Sequence, residues 1–262
     1  MLSKNTIKYI NSLKIKKYRQ LHNAFIVEGE KCVAELLKGP FEVTSIFCLE
    51  YWKDENTALL SGKKVEISLI NEEELYRISD LSTPNKVLAI AIIPPTRELI
   101  LEDFNDMILA LDGIRDPGNM GTILRTADWF GIRNVVCSPD CVDIYNLKVV
   151  QSTMGSFARV NVAYMDIVGL ISLASGSVPI YGALLEGPLL TDKKFIKPGI
   201  LIIGNESQGI SSTLIPLITD PVFIPRYLPS PIPSYHAESL NASLANAIIC
   251  YEIRKQLSEN KF

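Results

Sequence analysis

"DPGNMGTILRTADWFG", residues 116–131, decides how this chain is read. Asp116, Pro117 and Gly118 are turn formers, and Gly131 closes the run. Between them Met120, Ile123, Leu124, Ala127 and Phe130 recur at helical spacing and mark one apolar face. The stretch just before it, "MILALDGI" (107–114), is an apolar strand. Strand, polar corner and amphipathic helix together form the unit from which parallel sheets are built. Arg125 adds a permanent cation beside the apolar face, behind the corner Gly118-Asn119-Met120-Gly121.

The same texture continues toward the C terminus. "NVVCSP", "RVNVAYM", "VPIYGALL", "GILIIGN" and "PVFIP" read as strands, and "NLKVVQSTMGSF", "IVGLISLAS", "STLIPLI" and "SLNASLANAIICYEIRKQLS" as helices. Apolar strands alternating with helices predict an α/β domain whose mostly parallel sheet is covered on both faces. Ligands of such sheets bind outside the carboxyl ends of the strands, so the glycine- and asparagine-rich corners are expected on one rim.

Residues 1–93 read as a smaller α/β unit. Ser3 caps a first helix that runs to Leu13, with Ile7, Ile10 and Leu13 inward. "FIVEGEKCVAELLKG" gives a strand at Phe25–Val27 and a helix ended by Gly39. "VTSIFCL", "KVEISLI" and "KVLAIAII" are strands, and Asn71 with Glu74 forms a capping-box start. Pro94-Pro95 cannot enter a sheet interior. The expected division is therefore a domain at 1–95, a linker at 96–105 and a second domain at 106–262.

Bulk properties narrow the function. The 262 residues are 47% hydrophobic, but no apolar run approaches the roughly 18–20 residues that cross a bilayer. The N terminus has no signal-peptide core. A soluble, cytoplasmic protein without a membrane partner is expected. Five cysteines without a Cys-x-x-Cys pair, and two histidines, suggest neither a disulfide framework nor a metal site. The net charge is −3, yet Lys4, Lys8, Lys14, Lys16, Lys17 and Arg19 crowd a segment, 1–20, that holds no acid. Such a segment suits a polyanion, or is simply a solvated helix face.

Three corners carry the chemistry: Asn119-Met120-Gly121 with Arg125; "GNESQG", 204–209, after the strand "ILII"; and Ile224-Pro225 followed by "ESLNAS", 238–243. Individually they read as tight turns and helix caps. Together they supply donors and acceptors without a histidine or cysteine nucleophile, which suits positioning two polar partners better than hydrolysis. "GNESQG" lacks the Lys-Ser/Thr of a Walker A loop and is not Gly-x-Gly-x-x-Gly, which weighs against a nucleotide-binding oxidoreductase.

"DPGNMGTILRTADWFG", "GILIIGNESQGIS" and "ESLNASLANAI", in this order, resemble the three motifs of the SpoU/TrmH family of RNA 2′-O-ribose methyltransferases of the SPOUT superfamily. The segment "SLKIKKYRQLHNAFIVEGEKCVAELLK" is similar to the L30e/L7Ae-like substrate-binding module of the subgroup acting on ribosomal RNA. The resemblance implies S-adenosylmethionine as cofactor, held in loops tied through a trefoil knot. It implies cofactor contacts at Gly204, Ile224 and Leu240, at Ala183 and Leu184 of "GALLEG", and at Asn205, Gly209 and Ser243. It places Arg125, Asn119, Glu206, Ser239 and Asn241 at the reacting ribose, and Lys14, Lys16, Lys17 and Arg19 on RNA. It further implies a homodimer with the last helix at its interface and no metal. The substrate expected is large-subunit (23S) ribosomal RNA; a transfer-RNA 2′-O-methyltransferase and a non-catalytic RNA-binding or ribosome-assembly factor are the alternatives. One departure stands out. The family commonly runs Ile-Pro-Met-x-Gly before Ser-Leu-Asn, whereas this chain has the longer "IPRYLPSPIPSYHAESLN". That insertion, 226–237, would be stiff and border the cofactor pocket; it is expected to form a lid, to contact RNA through Arg226, Tyr227 or Tyr235, or to pack against a second subunit, and His236 within it suggests neither metal nor triad.

Overall fold

A computed structural model describes residues 1–174, 176, 178–227 and 237–259. Helices occur in chain order as α1 (Lys4–Ser12), α2 (Lys16–His22), α3 (Glu30–Lys38), α4 (Glu50–Glu55), α5 (Thr57–Leu60), α6 (Glu72–Ile78), α7 (Pro117–Trp129), α8 (Leu147–Thr153), α9 (Ile167–Leu173) and α10 (Ala242–Glu259). Strands are β1 (Ala24–Glu28), β2 (Val43–Cys48), β3 (Glu66–Leu69), β4 (Val87–Ile92), β5 (Ile108–Leu111), β6 (Asn134–Cys137), β7 (Asn161–Tyr164), β8 (Ile180–Leu189), β9 (Ile200–Ile203) and β10 (Asp220–Phe223). The chain packs as two units, one of Met1–Pro95 with Asp143–Arg159, the other of Thr96–Val142 with Val160–Phe262.

In the first unit the sheet order is β1-β4-β2-β3. Strands β1 and β4 are almost wholly apolar and buried because both of their faces are covered, whereas the edge strand β3 (Glu66–Leu69) is exposed to half-buried. Alternation sends Phe25, Val27, Ala89 and Ala91 to one face, with Val33 and Leu36 of α3. It sends Ile26, Leu88 and Ile90 to the other, with Ile10 of α1 and Leu75 and Ile78 of α6. Ser3 accepts from the Thr6 amide at the start of α1, and Asn71 and Glu74 close the capping box of α6.

The segment 143–159, expected in the second domain, packs instead with the first. Val150 and Phe157 join the core around Phe25. Its helix also ends earlier than the pattern suggests, because Met154 and Gly155 both take positive φ. The stretch expected as a linker, 96–105, counts with the second unit. Its Phe104 is buried, and Arg97 pairs with Asp103 at 3.0 Å.

The second sheet is parallel throughout, in the order β10-β8-β9-β5-β6-β7. Strand order reverses beside β5: β6 and β7 extend one way, and β9, β8 and β10 the other. That reversal opens a crevice between neighbouring corners at the carboxyl ends of the strands. Ile108, Ala110, Ile200 and Ile202 bury one face against α9, while α7 packs against α10. Two segments depart from the sequence reading. "STLIPLI" forms only a 3-10 turn at Ile215–Leu217, since Pro216 has no amide proton to continue a helix. Strand β8 runs on to Leu189, and its pairing with β10 jumps from Ala183 to Leu189, so residues 184–188 bulge outward.

Arg19 corrects the reading of the basic N terminus. It is 2% exposed, pairs with Asp143 at 2.6 Å, and donates to the Leu13 and Lys14 carbonyls. The guanidinium is a structural tie, because a buried cation must find its partners within the fold. Lys14 is also engaged, donating to the Ser79 carbonyl at 2.8 Å beside Asp80. Lys16 and Lys17 are exposed. Arg19→Ala is expected to cost about 3 kcal/mol in urea unfolding, whereas Lys16→Ala and Lys17→Ala stay within about 0.5 kcal/mol. Equal effects at the three positions would contradict the buried role of Arg19.

Candidate functional site

The carboxyl ends of β8, β9 and β10 and the entry to α10 enclose a cleft of about 770 Å³. Its walls include Ala183 and Leu184 from the β8 bulge, Gly204 to Gly209 after β9, Ile224 and Pro225 after β10, and Ser239 and Leu240 before α10. Ala242 and Ile249 reach it from α10. Much of this wall is backbone or short apolar side chain.

The loop after β9 is locked from within. Asn205 and Gly209 exchange backbone hydrogen bonds at 2.9 Å in both directions. The Asn205 carbonyl oxygen of the side chain accepts from the Ser207 and Gln208 amides, and its Nδ2 donates to the Gly113 carbonyl at 2.7 Å. A side chain at Gly204 would run into the backbone of Gly209 and Ile210. Gly209 takes φ +69, with open space around it. Asp112, at the end of β5, accepts from the Ser211 amide at 2.6 Å and holds the far side of the loop.

The corner after β5 is equally determined. Asp116 caps α7 by accepting from the Asn119 amide at 2.8 Å, and Pro117 occupies the first turn, where its missing N–H is harmless. Beneath the preceding turn, the Ile114 amide meets the Cys141 sulfur at 3.2 Å. Hydrogen bonding with Cys137 lowers the Cys141 thiol to about 7 and raises that of Cys137 well above its ordinary value. Both thiols are buried.

The three corners meet through side chains. Asn241 Nδ2 donates to Asn119 Oδ1 at 2.8 Å, and Asn119 Nδ2 donates to Glu206 Oε1 at 2.7 Å. Asn241 Oδ1 in turn accepts from the amides of Ser243 and Leu244, capping α10. Asn241 is thus both a cap and a member of the site. Ser239 sits exposed on the rim without a hydrogen bond among the described residues.

Asn119 and Asn241 do not line the cleft themselves and join it only through Glu206, and two further expected site residues lie elsewhere. Ser243 is buried, with its hydroxyl on Asn241 Oδ1, and does not line the cleft. Arg125 is exposed on α7 and absent from the cleft wall. Six residues past Asn119, it stands about 9 Å further along the helix axis and about 120° around it. It makes no hydrogen bond or ion pair among the described residues. Residues 228–236, including Tyr235 and His236, lie outside the described residues. Asp112 was missed as a site residue by sequence reasoning, whereas Arg226, named there as an RNA contact, does line the cleft. A carboxylate closing an apolar strand, as in "ILALD", was the available signal for Asp112.

Comparison with known proteins agrees with this geometry. The SpoU rRNA Methylase family model matches residues 106–251, and that of the MRM3-like substrate binding domain matches residues 4–89. The Bacillus subtilis 23S rRNA (guanosine(2553)-2'-O)-methyltransferase RlmP is 30% identical over 252 residues, 95% of each chain. A TrmH-family structure from Porphyromonas gingivalis superposes with TM-score 0.82 at 36% identity, covering 98% of this chain and 99% of that one. An AdoMet-bound rRNA methyltransferase from Sinorhizobium meliloti superposes with TM-score 0.83 at 26% identity, covering 98% and 97%.

Alanine at the two loop glycines separates packing from backbone strain. Gly204→Ala is expected to cost about 3 kcal/mol in thermal unfolding, because backbone must move to admit the methyl. Gly209→Ala is expected to cost about 1 kcal/mol, for its left-handed φ alone. The reverse ranking would mean that the loop is not clamped as described.

Proposed function

The chain belongs to the SpoU rRNA methylase family, and from that premise we propose that the cleft holds S-adenosylmethionine and serves methyl transfer to a ribose 2′-hydroxyl of ribosomal RNA. The observation that carries this reading is the bonded series Asn241–Asn119–Glu206, which joins all three corners at one rim. The relative from Bacillus subtilis is named for 23S rRNA, as is one from Streptomyces viridochromogenes. Large-subunit rRNA is therefore the substrate favoured over tRNA. Asn119, Glu206, Ser239 and Asn241 are all present, which argues against a non-catalytic assembly factor.

The cleft fits the cofactor. Its volume lies within the range of small-molecule sites. Gly204, Ile224 and Leu240 line the wall, and their backbone can read an adenine edge without any conspicuous side chain. Ala183, Leu184, Asn205 and Gly209 complete the wall. When bound, S-adenosylmethionine supplies an electrophilic methyl on a sulfonium and leaves as a neutral thioether. The chain's own task is alignment. Asn119 and Glu206 orient the ribose, with Ser239 beside it. Arg125 stays protonated, and its fork suits a bidentate hold on the phosphate next to the target ribose.

Since Arg125 stands away from the cleft wall of its own chain, its place in this reading is the cleft of a second copy. Leu244, Ile248 and Tyr251 form an exposed stripe at helical spacing on α10, with exposed Trp129 at the end of α7. Such a stripe supports a homodimer built on α10. The exposed Lys16 and Lys17 support RNA contact by the first unit. The amphipathic, globular character and the named bacterial relatives favour the cytoplasm.

Transfer of labelled methyl from S-adenosylmethionine to protein-free large-subunit rRNA, with mapping of the new 2′-O-methyl, tests the reading. Asn119→Ala is expected to lower kcat by about 100-fold. Arg125→Ala is expected to abolish transfer with cofactor affinity retained. Absence of cofactor binding by the unaltered protein in calorimetry would overturn the assignment. Ile248→Asp is expected to yield monomers in light scattering and to remove activity with them; an active monomer would refute the shared site.

A further inference from the structure

Beyond the backbone-lined floor, the cleft has a mouth of different chemistry. Among the described residues its walls carry two carboxylates, Glu206 and Glu238, and a single cation, Arg226. Next to Arg226, Tyr227 is 89% exposed. Neither residue makes a hydrogen bond or ion pair among the described residues, so both are free to meet a ligand. Both follow directly from Pro225, whose fixed φ limits the paths their backbone can take. They stand where the family pattern quoted above has Met and an unspecified residue before a glycine, so this chain puts a guanidinium and an aromatic ring at a position where the pattern asks for neither.

Accepting that the cleft serves RNA methylation, we propose that Arg226 and Tyr227 form the grip for the substrate nucleotide: the Tyr227 ring stacks on an unpaired base and the Arg226 guanidinium holds a neighbouring phosphate. Three considerations lead there. A polyanion approaching Glu206 and Glu238 meets like charge, and Arg226 is the cation placed on the same wall to offset it. Tyr227 lines the cleft at its mouth and is so exposed that its ring is open to whatever docks across it. An aromatic face beside a guanidinium is the pairing that recognises bases freed from a helix, whereas bases stacked within a duplex offer no face to it. The substrate class that follows is a nucleotide in a loop, bulge or single strand.

The test uses the full-length protein and two probes, a labelled single-stranded oligoribonucleotide and the same strand annealed to its complement, with cofactor affinity measured in parallel by calorimetry. Tyr227→Leu is expected to weaken single-strand binding by about tenfold, and Tyr227→Phe to retain it. Arg226→Gln is expected to lower the slope of log affinity against log salt by about 0.7, the share of one phosphate contact on a single strand. Cofactor affinity and duplex binding are expected to stay unchanged in all three. Single-strand affinity of Tyr227→Leu within about twofold of the unaltered protein would overturn the proposal. So would a parallel loss of cofactor affinity, which would assign the ring to the adenine. A methylated nucleotide mapped inside a continuous rRNA helix would overturn it too. Failure of the unaltered protein to bind cofactor would instead strike the enzymatic reading itself.

Discussion

The hydrogen bonds from Asn241 to Asn119 and from Asn119 to Glu206 constrain everything along the rim, because an amide donates only through nitrogen and accepts only through oxygen. Asn241 oxygen is already committed to the amides that open α10, so its nitrogen must face outward. That choice forces Asn119 to present oxygen to Asn241 and nitrogen to Glu206. Each orientation is settled by its neighbour, and hydrogen bonds in series polarise one another. The origin of the series is the positive end of an eighteen-residue helix, and its terminus is a carboxylate on the cleft.

The remainder of the pocket relies on main chain. Gly204 admits the close approach of Gly209 and Ile210, Asn205 pins the loop to Gly113, and Asp112 holds Ser211. The Asn205 and Asp112 ties join the corner after β9 to the corner after β5, where the strand order reverses, while the Gly204 approach lies within the loop after β9. The topology opens the crevice, and short side chains from the two corners keep its width fixed. Cys141 supports the same turn from below by meeting the Ile114 amide.

Much of this was readable in the residues. Alternating apolar strands and helices announced the parallel sheet, and the Asn71 and Ser3 caps were visible as local chemistry because capping depends on residues three apart. The three polar corners could be named because each follows a strand. What stayed hidden depends on contacts distant in sequence. Nothing around Arg19 marks it as a partner of Asp143, more than a hundred residues on, and a basic cluster masks one buried member among exposed ones. The segment 143–159 has the texture of any helix in an alternating domain; only packing on Phe25 reveals its allegiance. Arg125 lay beside the apolar face in the helical pattern, but that pattern does not place it relative to the cleft, and the structure leaves it exposed on α7 away from the cleft wall.

Residues 143–159 have one more consequence. The SpoU family match treats 106–251 as continuous, yet the helix inside it closes the aromatic core of the other unit. The polypeptide crosses the seam three times, at 95, 142 and 159. No single cut in the gene can therefore release either half intact: a fragment stopping at 95 would take Val150 and Phe157 from the core around Phe25, and one starting at 96 would carry those two residues without the core they fill. The first unit is sewn in rather than appended, and swapping it for another would require transplanting two separated pieces together.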